Sequence, residues 1–171
     1  MSIPGPSGSV PQAATLRVLA VALGTAPLLL VAVLAFVLPT SWDDEPPVLV
    51  VLGLVVLAGI GFLSAEAIGF HTEPLDASAA RSVADAQRES VARFQTTMML
   101  RFALTEMPIL VGLAVSFVLD DGIWPLLVSA AVGLPVMWFE IWPGRRNAAK
   151  LATRLEAGGV RSWLPEALGV S

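Results

Sequence analysis

The sequence predicts an all-α membrane protein: a four-helix transmembrane bundle with a cytoplasmic helical loop and a C-terminal amphipathic helix. Three observations predict it. Of 171 residues, 56% are hydrophobic and only 14% charged, too little polar side chain to cover a soluble domain of this size; the mean hydropathy is +0.77. Four apolar runs, Thr15–Leu38, Val48–Phe70, Met98–Leu119 and Ile123–Trp142, are each close to the ~20 residues that a helix needs to cross a bilayer. Backbone in lipid must satisfy its own hydrogen bonds, so these runs are helices.

The third observation is where the charges fall. The ten basic residues are Arg17 before the first run, Arg81, Arg88 and Arg93 between the second and third, Arg101 one turn inside the third, and Arg145, Arg146, Lys150, Arg154 and Arg161 after the fourth. The two remaining loops carry Asp43-Asp44-Glu45 and Asp120-Asp121 with no Lys or Arg. By the positive-inside rule both termini are expected on the cytoplasmic side of a bacterial cytoplasmic membrane.

Residues 1–14 are rich in Pro, Gly and Ser and are expected to form a disordered tail. The first run is too long for a signal-peptide core and ends in Pro39-Thr40-Ser41-Trp42, so it is expected to persist in the mature protein. Pro27 frees the Leu23 carbonyl and should kink the first helix. In the second run Ala58, Gly61, Ala65 and Gly69 recur at three- and four-residue spacing, a small-residue face for close helix packing. Within His71–Thr97, Asp76 or Ser78 is the expected cap of a helix whose stripe Val83, Gln87, Val91, Phe94, Met98 feeds into the third span.

After Trp142-Pro143-Gly144, residues 145–157 read as an amphipathic helix. Ala148, Leu151, Ala152 and Leu155 line one side, so the helix is expected to lie in the membrane interface. Arg145, Arg146, Lys150 and Arg154 would there meet anionic lipid headgroups at ~1 kcal/mol per basic residue. Trp163 and Leu164 are expected either to return to the membrane or to dock on the internal loop.

The residue most suggestive of chemistry is Glu106, inside the apolar stretch Phe102–Leu119. An ionised carboxylate is costly there, so it is expected to pair, hold a proton or bind a cation. Its same-face neighbours are Phe102, Ile109, Leu110 and Leu113, and the Leu104 carbonyl, freed by Pro108, is a candidate local acceptor. Two readings stand: an ion-binding acid, or a hydrogen-bonding contact to a neighbouring helix or to Arg101 of another subunit; the structural one leads. Glu66, Glu140, His71 and Arg101 gather toward one leaflet, as interface anchors or as an access route to Glu106.

With no cysteine and the single histidine His71, disulfides, thiol catalysis and the usual zinc sites are excluded. No metal or cofactor is expected. No P-loop, nucleophile elbow, zinc-protease helix or dinucleotide glycine pattern occurs, so no enzymatic activity is expected. The basic residues lack an aromatic platform, which argues against a nucleic-acid partner.

The stretch Ala86–Leu119 resembles the second helix of the c subunit, or proteolipid, of rotary ATP synthases. The matching positions are Arg88 and Glu89 in the loop, then Met99, Leu100, Ala103, Glu106, Gly112 and Leu113, after a glycine-containing helix with Gly53, Gly59, Gly61 and Gly69. The resemblance implies a proton- or sodium-binding role for Glu106. The chain departs from that family in its two flanking spans, its longer loop, Arg101 and Pro108. As a whole it looks more like small four-span bacterial membrane proteins that share an R-x-A-x-x-E helix, here Arg101, Ala103 and Glu106, and a basic tail. The leading expectation is a structural or accessory subunit of a membrane complex or a homo-oligomer; the alternative is an ion-binding membrane protein.

Overall fold

The computed structural model describes residues 9–38, 47–78, 81–118 and 122–170. The acidic loop segments 39–46 and 119–121 and the first eight residues of the proposed tail lie outside the described residues. The protein is all-helical, with four helices long and apolar enough to span a membrane. They are α1 (Ser9–Val37), α2 (Val48–Ile68), α3 (Val83–Val118) and α4 (Trp124–Ile141). Two short helices, α5 (Arg145–Leu155) and α6 (Leu164–Ala167), follow, separated by a 3-10 turn at Glu156–Gly158.

The chain divides into two compact units. One draws on Met1–Ala20, Phe70–Met99 and Trp142–Ser171, the other on Val21–Gly69 and Leu100–Ile141. We call them the polar unit and the membrane unit.

In the membrane unit the 21 residues of α2 rise about 31 Å at ~1.5 Å each, matching a hydrocarbon core of ~30 Å. Leu38, Ile109, Ile123 and Leu126 form a buried cluster, with Val31, Leu34, Leu113, Leu127 and Leu134 packed against it. Large apolar side chains such as Phe36, Leu49, Leu63 and Phe117 remain outside, as expected where the solvent is hydrocarbon.

Glycines set how closely the helices approach. A Cβ on Gly61 would stand 2.8 Å from the Leu104 carbonyl oxygen, so α2 lies against α3 there. Gly133 receives Ile109 of α3, and Gly24 of α1 receives the Trp138 ring, each 2.8 Å from the would-be Cβ. Gly112 of α3 is closed over Ser129 of α4, whose hydroxyl occupies the space a Cβ would need. Ala58, Gly61 and Ala65 are the buried small face that the spacing in α2 predicts.

α1 begins at Ser9 rather than Thr15, so part of the expected disordered tail is helical. α3 is one helix of 36 residues that begins in the polar unit, as the continuous stripe predicts. Its cap is neither Asp76 nor Ser78. Those two bond each other in the preceding turn, where the Ser78 amide donates to Asp76 Oδ1 at 3.1 Å and its hydroxyl to Oδ2 at 2.8 Å. Ser82 caps α3 instead: its hydroxyl accepts from the Asp85 amide at 3.2 Å and donates to the Asp85 carboxylate at 2.7 Å. The reciprocal pair satisfies an orphan amide and places negative charge in the first turn.

The polar unit overturns the interfacial placement of α5. Ala148, Leu151, Ala152 and Leu155 are buried within the protein, so the apolar stripe is covered by protein rather than by lipid. The C-terminal segment docks on the internal loop: Ser90 of α3 donates to the Ser162 carbonyl at 3.0 Å, and the Leu75 amide to the Leu155 carbonyl at 2.8 Å. Leu164 is fully buried. Trp163 takes a left-handed conformation at φ 54°, stacked under the Arg161 guanidinium at 3.7 Å, while Arg161 pairs with Glu166 at 2.7 Å.

Candidate functional site

Among the described residues, no hydrogen bond or ion pair ties another charged group of the membrane unit to Glu106. A row along the inner face of α3, Arg101, Thr105, Ile109, Gly112 and Ser116, is buried throughout, and it recurs every three or four residues, as one helix face requires. On α4 the buried face includes Ser129, Gly133, Met137 and Glu140. The two rows together form a polar seam inside an apolar bundle.

Each hydroxyl in the seam is bonded. Thr105 donates to the Arg101 carbonyl at 2.8 Å, Ser129 to the Leu126 carbonyl at 2.9 Å and Ser116 to the Gly112 carbonyl at 3.0 Å. Ser116 also accepts from the Leu126 amide at 3.1 Å. Leu126 is the third residue of α4, and its amide has no carbonyl partner within the helix. A serine on α3 thus caps α4 from the side.

Arg101 acts at the opposite end of α4. It is 0% exposed, as is Glu140, and its Nη1 donates to the Glu140 main-chain carbonyl. Glu140 is the penultimate residue of α4, so that carbonyl belongs to the last turn, which lacks helical donors and carries the negative end of the helix dipole. Gly69, just beyond α2, makes room for the arginine: a Cβ there would overlap Arg101 Cγ. Arg101, expected as an access-route residue or as a partner for Glu106 of another subunit, is buried against α4 within its own chain.

Glu106 is half-buried, on the rim of α3, beside exposed Ala103, Met107 and Leu110. Five residues separate it from Arg101, which sets the two about 140° apart around the helix. Among the described residues no hydrogen bond or ion pair reaches it. The Leu104 carbonyl, freed by Pro108, was the expected local acceptor. It faces Gly61 of α2 instead, because residues two apart leave a helix about 200° from one another.

Glu66 is half-buried on α2 in the membrane unit, whereas exposed His71 belongs to the polar unit. His71 lines a surface cavity of about 210 Å³ with Thr72, Glu73, Arg93, Thr96 and Thr97. Arg93 crosses from α3 to the loop, bonding Glu89 at 2.8 Å and the Glu73 carbonyl at 2.5 Å. Of the residues read as headgroup contacts, Arg145 and Arg154 are exposed, Arg146 bonds the Asn147 side chain at 3.0 Å, and Lys150 stands 5.1 Å from the centre of the Phe70 ring. Among the described residues no group of three His, Asp or Glu is placed to hold a metal ion.

The residues expected from the sequence include Arg101 and Glu140 but not the Thr105, Ser116 and Ser129 hydroxyls of the seam. The signal was present in the four-residue recurrence of Arg101 and Thr105, continued by Gly112 and Ser116 at the same spacing. No family model, characterised protein or solved structure matches the chain. The four apolar helices define a multi-pass membrane protein.

Proposed function

We propose that this protein is an accessory subunit of a membrane complex, set in a bacterial cytoplasmic membrane with both termini cytoplasmic. One observation carries the reading: the seam hydroxyls are bonded inside the chain, whereas Glu106 faces outward at about mid-depth and is bonded to no described residue. A lone carboxyl beside lipid is costly, and a protein neighbour relieves that cost. The orientation is supported by charge. Nine of the ten basic residues, all except Arg101, belong to the polar unit, the pattern of a cytoplasmic face. The exposed Arg145 and Arg154, with Arg146 and Lys150, would meet anionic headgroups there.

The ion-binding reading of Glu106 has less support, because the one carbonyl that Pro108 frees lies against α2. A hydrophobic carbodiimide separates the two readings. An accessory subunit is labelled at Glu106 when isolated in detergent and protected in native membranes, where it also migrates in gentle detergent as a complex larger than itself. Migration as a single chain, with labelling in membranes that sodium suppresses, would overturn the proposal in favour of ion binding.

A further inference from the structure

We infer that the Glu106 face of α3 docks a transmembrane helix of another subunit that carries a basic side chain near mid-depth. The inference rests on the accessory-subunit reading and names the partner's chemistry. Glu106 lies eight residues beyond Met98, where the third apolar run begins, or about 12 Å along the helix. Its short side chain cannot reach either interface from that depth, unlike a lysine or arginine, which can snorkel. Around it Ala103 is small and exposed, so a second helix can approach closely, and Met107 is unbranched and adapts to what lies against it.

This chain cannot supply the complementary charge to a second copy of itself. Arg101, the single basic residue of the membrane unit, is 0% exposed and held at the end of α4. Two copies meeting on this face would bring carboxyl to carboxyl. A basic partner lowers the cost of each charge, because an ion left alone in hydrocarbon is worse off than one with a counter-ion.

The chain contains no cysteine, so one introduced cysteine at exposed Ala157 places a single fluorophore on the full-length protein. The test is energy transfer in vesicles to a labelled leucine-rich transmembrane peptide carrying one central lysine, against the same peptide with leucine there. The lysine peptide is expected to bind about tenfold more tightly, and the gap to close in Glu106→Leu. Ala103→Leu leaves the acid in place but adds bulk beside it, and it should weaken binding of both peptides. Equal binding of the two peptides, or a gap that survives Glu106→Leu, would refute the inference. Self-association of the chain that is lost in Glu106→Leu and undisturbed by the lysine peptide would also refute it, by assigning the face to a second copy. If the native complex exists but the peptides are not told apart, the partner's chemistry fails and the accessory role stands.

Discussion

Gly112→Ala is the substitution that most directly tests the packing of α3 on α4. The added methyl would overlap the Ser129 hydroxyl and stand 2.8 Å from the Pro125 carbonyl oxygen. Ordinary contact lies near 3.5–4 Å, so the helices must separate by about 1 Å or Ser129 must move. Overpacking of this kind costs ~1–3 kcal/mol, and displacing the Ser129 hydroxyl from the Leu126 carbonyl adds ~1 kcal/mol. Replacing glycine by alanine within a helix returns ~1 kcal/mol of propensity. The net expectation is a loss of about 1–3 kcal/mol, read from equilibrium unfolding in mixed micelles by the fluorescence of Trp124 and Trp138 on α4. Ser129→Gly in the Gly112→Ala background should recover much of it, a coupling of at least ~1 kcal/mol in a double-mutant cycle. A Gly112→Ala change within ~0.5 kcal/mol of wild type, or strict additivity with Ser129→Gly, would mean that the helices are not this close and would refute the argument.

Three further outcomes are expected. Arg101→Met should cost about 3–5 kcal/mol in the same unfolding assay, because it strips a buried donor from the last turn of α4 and disturbs the setting of buried Glu140; a near-neutral result would show that the guanidinium does not cap that helix. Ser116→Ala should cost ~1–2 kcal/mol and speed hydrogen exchange at the Leu126 amide, which loses its acceptor. The Asp76 carboxyl should titrate below the ordinary aspartate range, chiefly because the Ser78 amide and then the Ser78 hydroxyl donate to it. A folded value below the unfolded one stabilises the loop above the unfolded pKa, and that contribution is lost as pH falls through the folded pKa. Ser78→Ala should raise the Asp76 titration toward the ordinary range, and an unmoved NMR titration would count against the hydroxyl's part.

The architecture was largely legible because each spanning helix needs only an apolar run of sufficient length, a local property of the chain. The small face of α2 was legible for a similar reason: helical period places Ala58, Gly61 and Ala65 together before any partner is known. The cap of α3 was misplaced because Asp76, Ser78 and Ser82 are all good caps, and the choice turns on which one faces the first free amides. The α5 stripe was misassigned because a stripe of that kind specifies an apolar neighbour without saying whether it is lipid or protein.

Glu106 and Arg101 show where local reading ends. Both stand out in the sequence as charges in an apolar run, and the cost of that placement follows from composition and depth alone. Which charge turns inward does not. Rotation of α3 about its axis is decided by the close contacts at Gly61, Gly112 and Gly133 with the residues opposite them, and the contact at Gly69 places the Arg101 stem. These contacts bury Arg101 at the end of α4 and leave Glu106 on the rim. Helix number and span follow from hydropathy, which sums along the chain. Burial, capping and exposure depend on what stands across a few ångströms of space, which only the packed helices decide.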